Sequence, residues 1–114
     1  MIRDRDFSDY LRDILEHAEA AIEFIKDVPD VQALADDRRT FWAVIRALEV
    51  VGEAARHVPA DFRQAHPEVA WRGMTGMRDK VIHDYFGVDA TVVWRTVKDE
   101  LPPLAAVVPT AIPR

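Results

Sequence analysis

Apolar positions recur at intervals of three and four along the first segment: Phe7, Tyr10, Leu11, Ile14, Leu15, Ala18, Ala21, Ile22 and Ile25. That spacing draws one stripe on a helix of period 3.6. Asp4, Asp6 and Ser8 are candidate N-terminal caps, and acids there suit the helix dipole. Asp9, Asp13, Glu16, Glu23 and Asp27 fall mostly off the stripe and read as a solvated face. Val28-Pro29-Asp30 stops the helix, and residues 31–35 predict a short helix or turn. Asp36 and Asp37 offer a second cap, after which Phe41, Val44, Ile45, Leu48, Val51 or Gly52, and Ala55 form a second stripe ending near His57. Pro59 cannot continue it. Gly52 and its small neighbours suggest a close helix–helix approach.

Residues 59–70 read as a connector with one helical turn over 60–65, broken by His66-Pro67. A third helix is expected from 69–71 to His83, with an irregular first turn at Gly73 and Gly76 and an exit at Gly87. Asp89 then caps a fourth helix carrying Val92 or Val93, Val97, Leu101, Leu104 and Val108, kinked or restarted at Pro102-Pro103. Residues 107–109 read as a tail open to a partner, and Pro109 and Pro113 close the ordered chain. No alternating strand pattern or internal repeat is found. The prediction is an all-α, up-and-down four-helix bundle with short extra helical turns, one domain over 1–114 with a tail from about 109.

Composition narrows the function classes. The 114 residues carry 20 acids and 15 bases, a net charge of −5, which disfavours nucleic-acid binding through bulk positive charge. The charge is unevenly spread. Residues 1–37 hold eleven acids and four bases (−7), residues 38–98 seven acids and ten bases (+3), and residues 99–114 sum to −1. A local anion site is therefore possible in the middle segment. The absence of cysteine excludes disulfides, zinc–thiolate sites and a cysteine nucleophile. The apolar run at 104–108 is far too short to span a membrane. No signal-peptide pattern opens the chain, so the expected location is the cytoplasm. His17, His57 and His66 are isolated, and no metal or cofactor is expected. Glu49 and Glu53 read as solvated or as partners of Arg46 and Arg56, and Trp42, Trp71 and Trp94 as core or interface.

Chemistry concentrates in residues 76–85, Gly-Met-Arg-Asp-Lys-Val-Ile-His-Asp-Tyr. Asp79 and His83 stand one helical turn apart, so the carboxylate can orient the imidazole. Arg78 and Tyr85, seven apart, share the adjacent face. An arginine fork binds phosphate and a histidine moves a proton near neutral pH. Together they provide what phosphodiester cleavage without metal requires. One Arg and one His make a thin site, and two copies across a symmetry axis would make a fuller one. Spacing alone also allows ordinary ion pairs, such as Lys80–Asp84, with His83 as a helix cap.

The order of Ala47-Leu48-Glu49-Val50-Val51-Gly52-Glu53-Ala54-Ala55, then Trp71, the stretch 76–86, Val93-Trp94 and Asp99-Glu100-Leu101-Pro102 resembles the HepT-like toxins of the HEPN superfamily. The likeness covers nearly the whole chain. It implies a HEPN-type bundle that works as a homodimer and cleaves RNA without metal at a composite interface site. By the same resemblance Arg78 stabilises phosphate and His83 is the general acid or base. Asp79, at a position often held by Asn in the superfamily, plays a supporting role. The resemblance also implies a nucleotidyltransferase antitoxin that transfers AMP to the motif tyrosine, here Tyr85. The rival reading is a non-catalytic module that binds a nucleotide or partners a nucleotidyltransferase.

Overall fold

The computed structural model describes residues 7–76 and 89–112. Helix α1 (Phe7–Phe24) and helix α3 (Arg38–Ala55) are the two long elements, 18 residues each. The short α2 (Val31–Asp36) joins them and α4 (Ala60–Ala65) follows. Residues 71–76 are helical and form α5. After Asp89 come α6 (Ala90–Arg95), a π-helical turn (Thr96–Glu100), α7 (Leu101–Val107) and a 3₁₀ turn (Val108–Ala111). No strand occurs among the described residues. The architecture is the expected all-α bundle.

The seam between α1 and α3 organises the core. Leu11, Ile14, Ala18, Ala21 and Ile25 are buried at alternating steps of three and four, and Val44, Leu48, Val51 and Ala55 answer them with the same alternation. That periodicity keeps each row facing its partner over several turns. Small residues are interleaved with the large ones. Ala18 and Ala21 on α1, and Ala47, Gly52 and Ala54 on α3, are all buried, which leaves room for the backbones to draw close. Leu101, Leu104 and Val108 close the core from the C-terminal side, where α7 and the 3₁₀ turn pack on α1.

Carboxylates start the shorter pieces. Asp30 accepts the Ala33 amide at 2.9 Å, and Asp89 accepts the Thr91 amide at 2.8 Å. Asp37 serves α3 by accepting both the Thr40 hydroxyl (2.7 Å) and the Thr40 amide (3.1 Å). Those bonds hold its carboxyl below the usual carboxylate range. Each amide bond satisfies a backbone donor that the first helical turn would otherwise leave unpaired. Of the expected caps, Asp37 serves, Asp36 ends α2, and Asp4 and Asp6 lie outside the described residues.

Two expectations are corrected. Residues 71–76 form a regular helical turn despite Gly73 and Gly76. A Cβ at Gly73 would meet the Glu100 carboxylate at 3.6 Å, an ordinary van der Waals contact. Val107 and Val108 are buried core residues, and the chain packs on to Ala111 and Ile112; they are not a free tail. Of the tryptophans read as core or interface, Trp71 is buried at 8%, while Trp42 is 55% exposed and lies outside the core of the single chain.

The proline pair acts through the π turn. In an α-helix the rings of Pro102 and Pro103 would meet the carbonyls of Lys98 and Asp99 and could donate to neither. Instead the Leu101 amide reaches back five residues to the Thr96 carbonyl, and the helix resumes with the prolines in its first turn, where they are tolerated. The Thr96 hydroxyl donates to the Val92 carbonyl at 2.8 Å. This wider turn carries Glu100, whose carboxyl is pushed above the usual range by burial and then by Asp99, with Arg95 opposing.

Two measurements check this account. Leu48, 1% exposed at the centre of the seam, should lose about 2–5 kcal/mol of unfolding free energy on Leu48→Ala, read by denaturant titration. For Glu100, a native pKa raised above the unfolded value means that the folded chain holds the proton to higher pH. Its contribution to stability therefore falls as pH rises from the usual carboxylate range through the raised native value. Glu100→Gln should be more stable than wild type at neutral pH, and the difference should vanish below the carboxylate range, read by denaturant midpoints across pH.

Candidate nucleic-acid interface

Arg78, Asp79, His83 and Tyr85, with the expected Lys80–Asp84 pair and the Gly87 exit, lie outside the described residues. What the structure shows is the scaffold that delivers the chain to this segment and receives it again. Delivery runs through α5, whose first residue is Trp71. The Trp71 indole N–H donates to the His66 carbonyl at 3.0 Å, which ties α5 to the loop after α4. Phe62 of α4 sets its ring edge-on to Trp71, with centroids 6.0 Å apart, and lies 4.6 Å from the His66 ring. It also meets Phe7 of α1 edge-on at 5.8 Å. A chain of aromatic contacts thus fixes α4 and α5 to the long-helix pair; edge-to-face pairs add to the area they bury. On the receiving side Asp89 caps α6, and Lys98 places its ammonium 4.9 Å above the ring of Trp94, a cation–π contact.

Two clefts of opposite character open on this scaffold. One, about 270 Å³, lies between α1 and α3 and is lined by Tyr10, Asp13, Arg46, Glu49, Val50, Glu53 and Ala54. Three carboxylates surround one arginine, and Arg46 is already 3.7 Å from Glu49. His57 caps the end of this face, stacked on Tyr10 with centroids 4.1 Å apart and 3.7 Å from the Glu53 carboxylate. A polyanion would be repelled here. The Arg46–Glu49 pair expected from spacing is present, and Glu53 turns to His57.

The second cleft, about 400 Å³, opens between α4 and α5 and is lined by Ala60, Arg63, Gln64, Trp71, Arg72 and Thr75. Among the described residues no carboxylate lines it. Nearby acids are engaged elsewhere: Asp61 accepts the Phe62 amide at 2.9 Å, and Glu68 sits 3.6 Å from His66. Among the described residues neither Arg63 nor Arg72 has an ion-pair partner, and the Arg63 Nε is buried without a hydrogen bond. A buried unsatisfied donor costs about 1–3 kcal/mol. Sequence reasoning located the excess positive charge in this middle segment but missed the two arginines. They come from separate elements on either side of the His66-Pro67 break, and only their spatial approach pairs them.

Among the described residues no group of three or more His, Asp or Glu side chains could hold a metal ion. His17 is bound to its own helix, with Nδ1 2.8 Å from the Asp13 carbonyl. No helix among the described residues is long and apolar enough to cross a membrane.

Comparison with known proteins gives this scaffold its relatives. Residues 11–111 match the family described as "Ribonuclease HepT-like". The chain is 50% identical over 100 residues to a "Probable ribonuclease HepT" of Thermococcus cleftensis, covering 88% of this chain and 90% of that one. It is 45% identical over 98 residues to a protein of Methanocaldococcus jannaschii named "Putative RNase MJ1380", covering 86% and 89% of the two. A Caldanaerobacter subterraneus protein named "Putative RNase TTE0752" is 41% identical over 95 residues, or 83% and 84% of the two. No solved structure matches the chain. The family match spans nearly all of the sequence, and the relatives align along most of their length: the chain belongs to the HepT-like ribonuclease family.

Proposed function

We propose that this protein is the toxin of a toxin–antitoxin pair and cleaves RNA without metal at a site shared by two copies of the chain. The observation that carries the reading is the near full-length match to a ribonuclease family; Arg78, Asp79, His83 and Tyr85 stand where the resemblance drawn from the sequence implies its motif, with Asp79 at a position often held by Asn.

The chemistry follows from the residue types. A base removes the proton of a ribose 2′-hydroxyl, and the 2′-oxygen attacks the adjacent phosphorus. The bond from phosphorus to the 5′-oxygen of the next nucleotide breaks, and an acid returns a proton to that oxygen. The products are a 2′,3′-cyclic phosphate and a 5′-hydroxyl. His83 takes the proton-transfer role, since imidazole ionises near the working pH. Arg78 holds the phosphoryl oxygens with a charge that never titrates and stabilises the extra negative charge of the transition state. Asp79, one turn before His83, fixes its tautomer. One imidazole cannot be base and acid in the same step, so a second copy supplies the other. Homodimerisation therefore belongs to the mechanism.

Tyr85 is the control point. Its phenol oxygen attacks the α-phosphorus of ATP held by a nucleotidyltransferase antitoxin, pyrophosphate leaves, and AMP stays on the tyrosine. The added bulk and negative charge would keep RNA away. The reaction takes place in the cytoplasm, where RNA and ATP both are.

Expression of wild type, Arg78→Ala and His83→Ala without antitoxin tests the catalytic claim. Wild type should arrest growth and degrade RNA. Each variant, shown folded and dimeric by circular dichroism and sedimentation, should lose RNA cleavage by about a hundredfold or more. Equal behaviour of all three, with purified wild type inert on RNA in EDTA, would leave the non-catalytic binding module as the better reading. For the control point, mass spectrometry after incubation with ATP and the nucleotidyltransferase should find one added AMP on wild type and none on Tyr85→Phe. Addition to both would place the acceptor elsewhere.

A further inference from the structure

The α4–α5 groove carries an inference of its own. It brings together two arginines, an amide and a hydroxyl from Arg63, Arg72, Gln64 and Thr75, over a floor made by Trp71. Neither guanidinium is committed to a carboxylate among the described residues, and the Arg63 Nε is buried without a hydrogen-bond partner. The two guanidinium groups are cations with no acid partner among the described residues. Its geometry is held from below: the Trp71 N–H is spent on the His66 carbonyl, and the Trp71 ring is braced by Phe62. The arginines therefore stand on a fixed base rather than on a loose loop, which lowers the ordering cost of binding.

The anion that suits this set is a phosphodiester. Two planar forks take phosphate oxygens with defined geometry, while Gln64 adds an uncharged amide donor of the kind that lines a sugar–phosphate backbone; the Thr75 hydroxyl already donates to the Arg72 carbonyl at 3.1 Å and helps fix that turn. The groove, about 400 Å³, is in the size range of small-ligand clefts. Arg72 and Thr75 stand six and three residues before Arg78 on the same continuous stretch of chain. The cleft between α1 and α3 is lined by Asp13, Glu49 and Glu53 and has the wrong sign.

We propose that the α4–α5 groove is a backbone subsite that binds a phosphate of the substrate RNA strand away from the scissile bond, with Arg63 and Arg72 as its anchors. The identity of the ligand as RNA rests on the ribonuclease reading; the anion site does not. The groove would also explain how a chain of net charge −5 holds a polyanion, by concentrating unpaired cations in one place.

The test uses the full-length chain with His83→Ala, so that nothing is cut, and a labelled single-stranded RNA followed by fluorescence anisotropy. Arg63→Gln and Arg72→Gln should each weaken binding about tenfold. Each should reduce the dependence of log K on log salt by about 0.7 for the phosphate contact removed. Arg63→Lys should keep part of the affinity. Arg39→Gln makes the same charge change at the exposed start of α3 and should stay within about twofold of the parent. Unchanged affinity in the two groove variants would overturn the subsite, and so would an equal loss in Arg39→Gln. If Arg63→Gln fails to fold, Arg72→Gln, whose side chain is exposed on α5, decides the matter. Cleavage by chains with His83 intact is scored separately. RNA bound through Arg63 and Arg72 but never cut would keep the subsite and remove the ribonuclease reading. RNA cut at the wild-type rate by the Arg63→Gln, Arg72→Gln double variant under subsaturating substrate would overturn the subsite and leave the ribonuclease reading standing.

Discussion

Everything in this molecule hangs on the seam where α1 and α3 interlock. Two rows of side chains, Leu11 to Ile25 on one helix and Val44 to Ala55 on the other, share the same alternation of three and four, and every residue in both rows is buried. The two long helices supply the largest share of the described buried residues, with α7 and the 3₁₀ turn adding to them on the C-terminal side. The shorter pieces depend on that pair. The π turn, α7 and the 3₁₀ turn close over α1, and the Phe7–Phe62–Trp71 contacts brace α4 and α5 against the same helix. Loosening the seam would loosen the segments on either side of the Arg78–Tyr85 motif.

The electrostatic layout follows from this division of labour. The N-terminal helix needs only one apolar stripe, and its remaining positions are free to be acidic. With α3 it forms a cleft that holds three carboxylates. The positive charge is placed where α4 meets α5, in side chains left without carboxylate partners among the described residues. An acidic protein can thus act on RNA if its cations are gathered and its acids are turned to other faces. Charge segregation matters here more than the net total, because at physiological salt the field of an exposed charge is screened within about 8 Å.

Much of this was legible in the sequence, for identifiable reasons. The long helices declare themselves because their stripes run for five turns without a competing signal. The helix at Ala60–Ala65 is legible because Pro59 and the His66-Pro67 pair bracket it, and Asp89 because a carboxylate ahead of an apolar periodic run has few other uses. Other features leave no mark of that kind. A π turn adds one residue to a repeat whose positions already tolerate a shift of one, so Pro102-Pro103 announced a disturbance but not its form. Val107 and Val108 looked like a tail because a proline follows them, yet a 3₁₀ turn can carry Pro109 and still bury both valines. Trp42 follows no rule of periodicity, since it sits beside the stripe rather than on it. The motif residues could be named from their order in the sequence, whereas the Arg63–Arg72 groove exists only through the approach of two separate elements.

The central claim is that this chain cuts RNA by internal attack of the ribose hydroxyl, using its own side chains. The most direct measurement is the chemistry of the cut ends: purified protein is incubated with a defined RNA in excess EDTA, and the fragments are analysed by mass spectrometry. The account predicts cleavage that persists in EDTA and leaves 2′,3′-cyclic phosphate and 5′-hydroxyl ends. Cleavage that stops in EDTA, or fragments with 3′-hydroxyl and 5′-phosphate ends, would mean that water or a metal-bound hydroxide is the nucleophile and would contradict it.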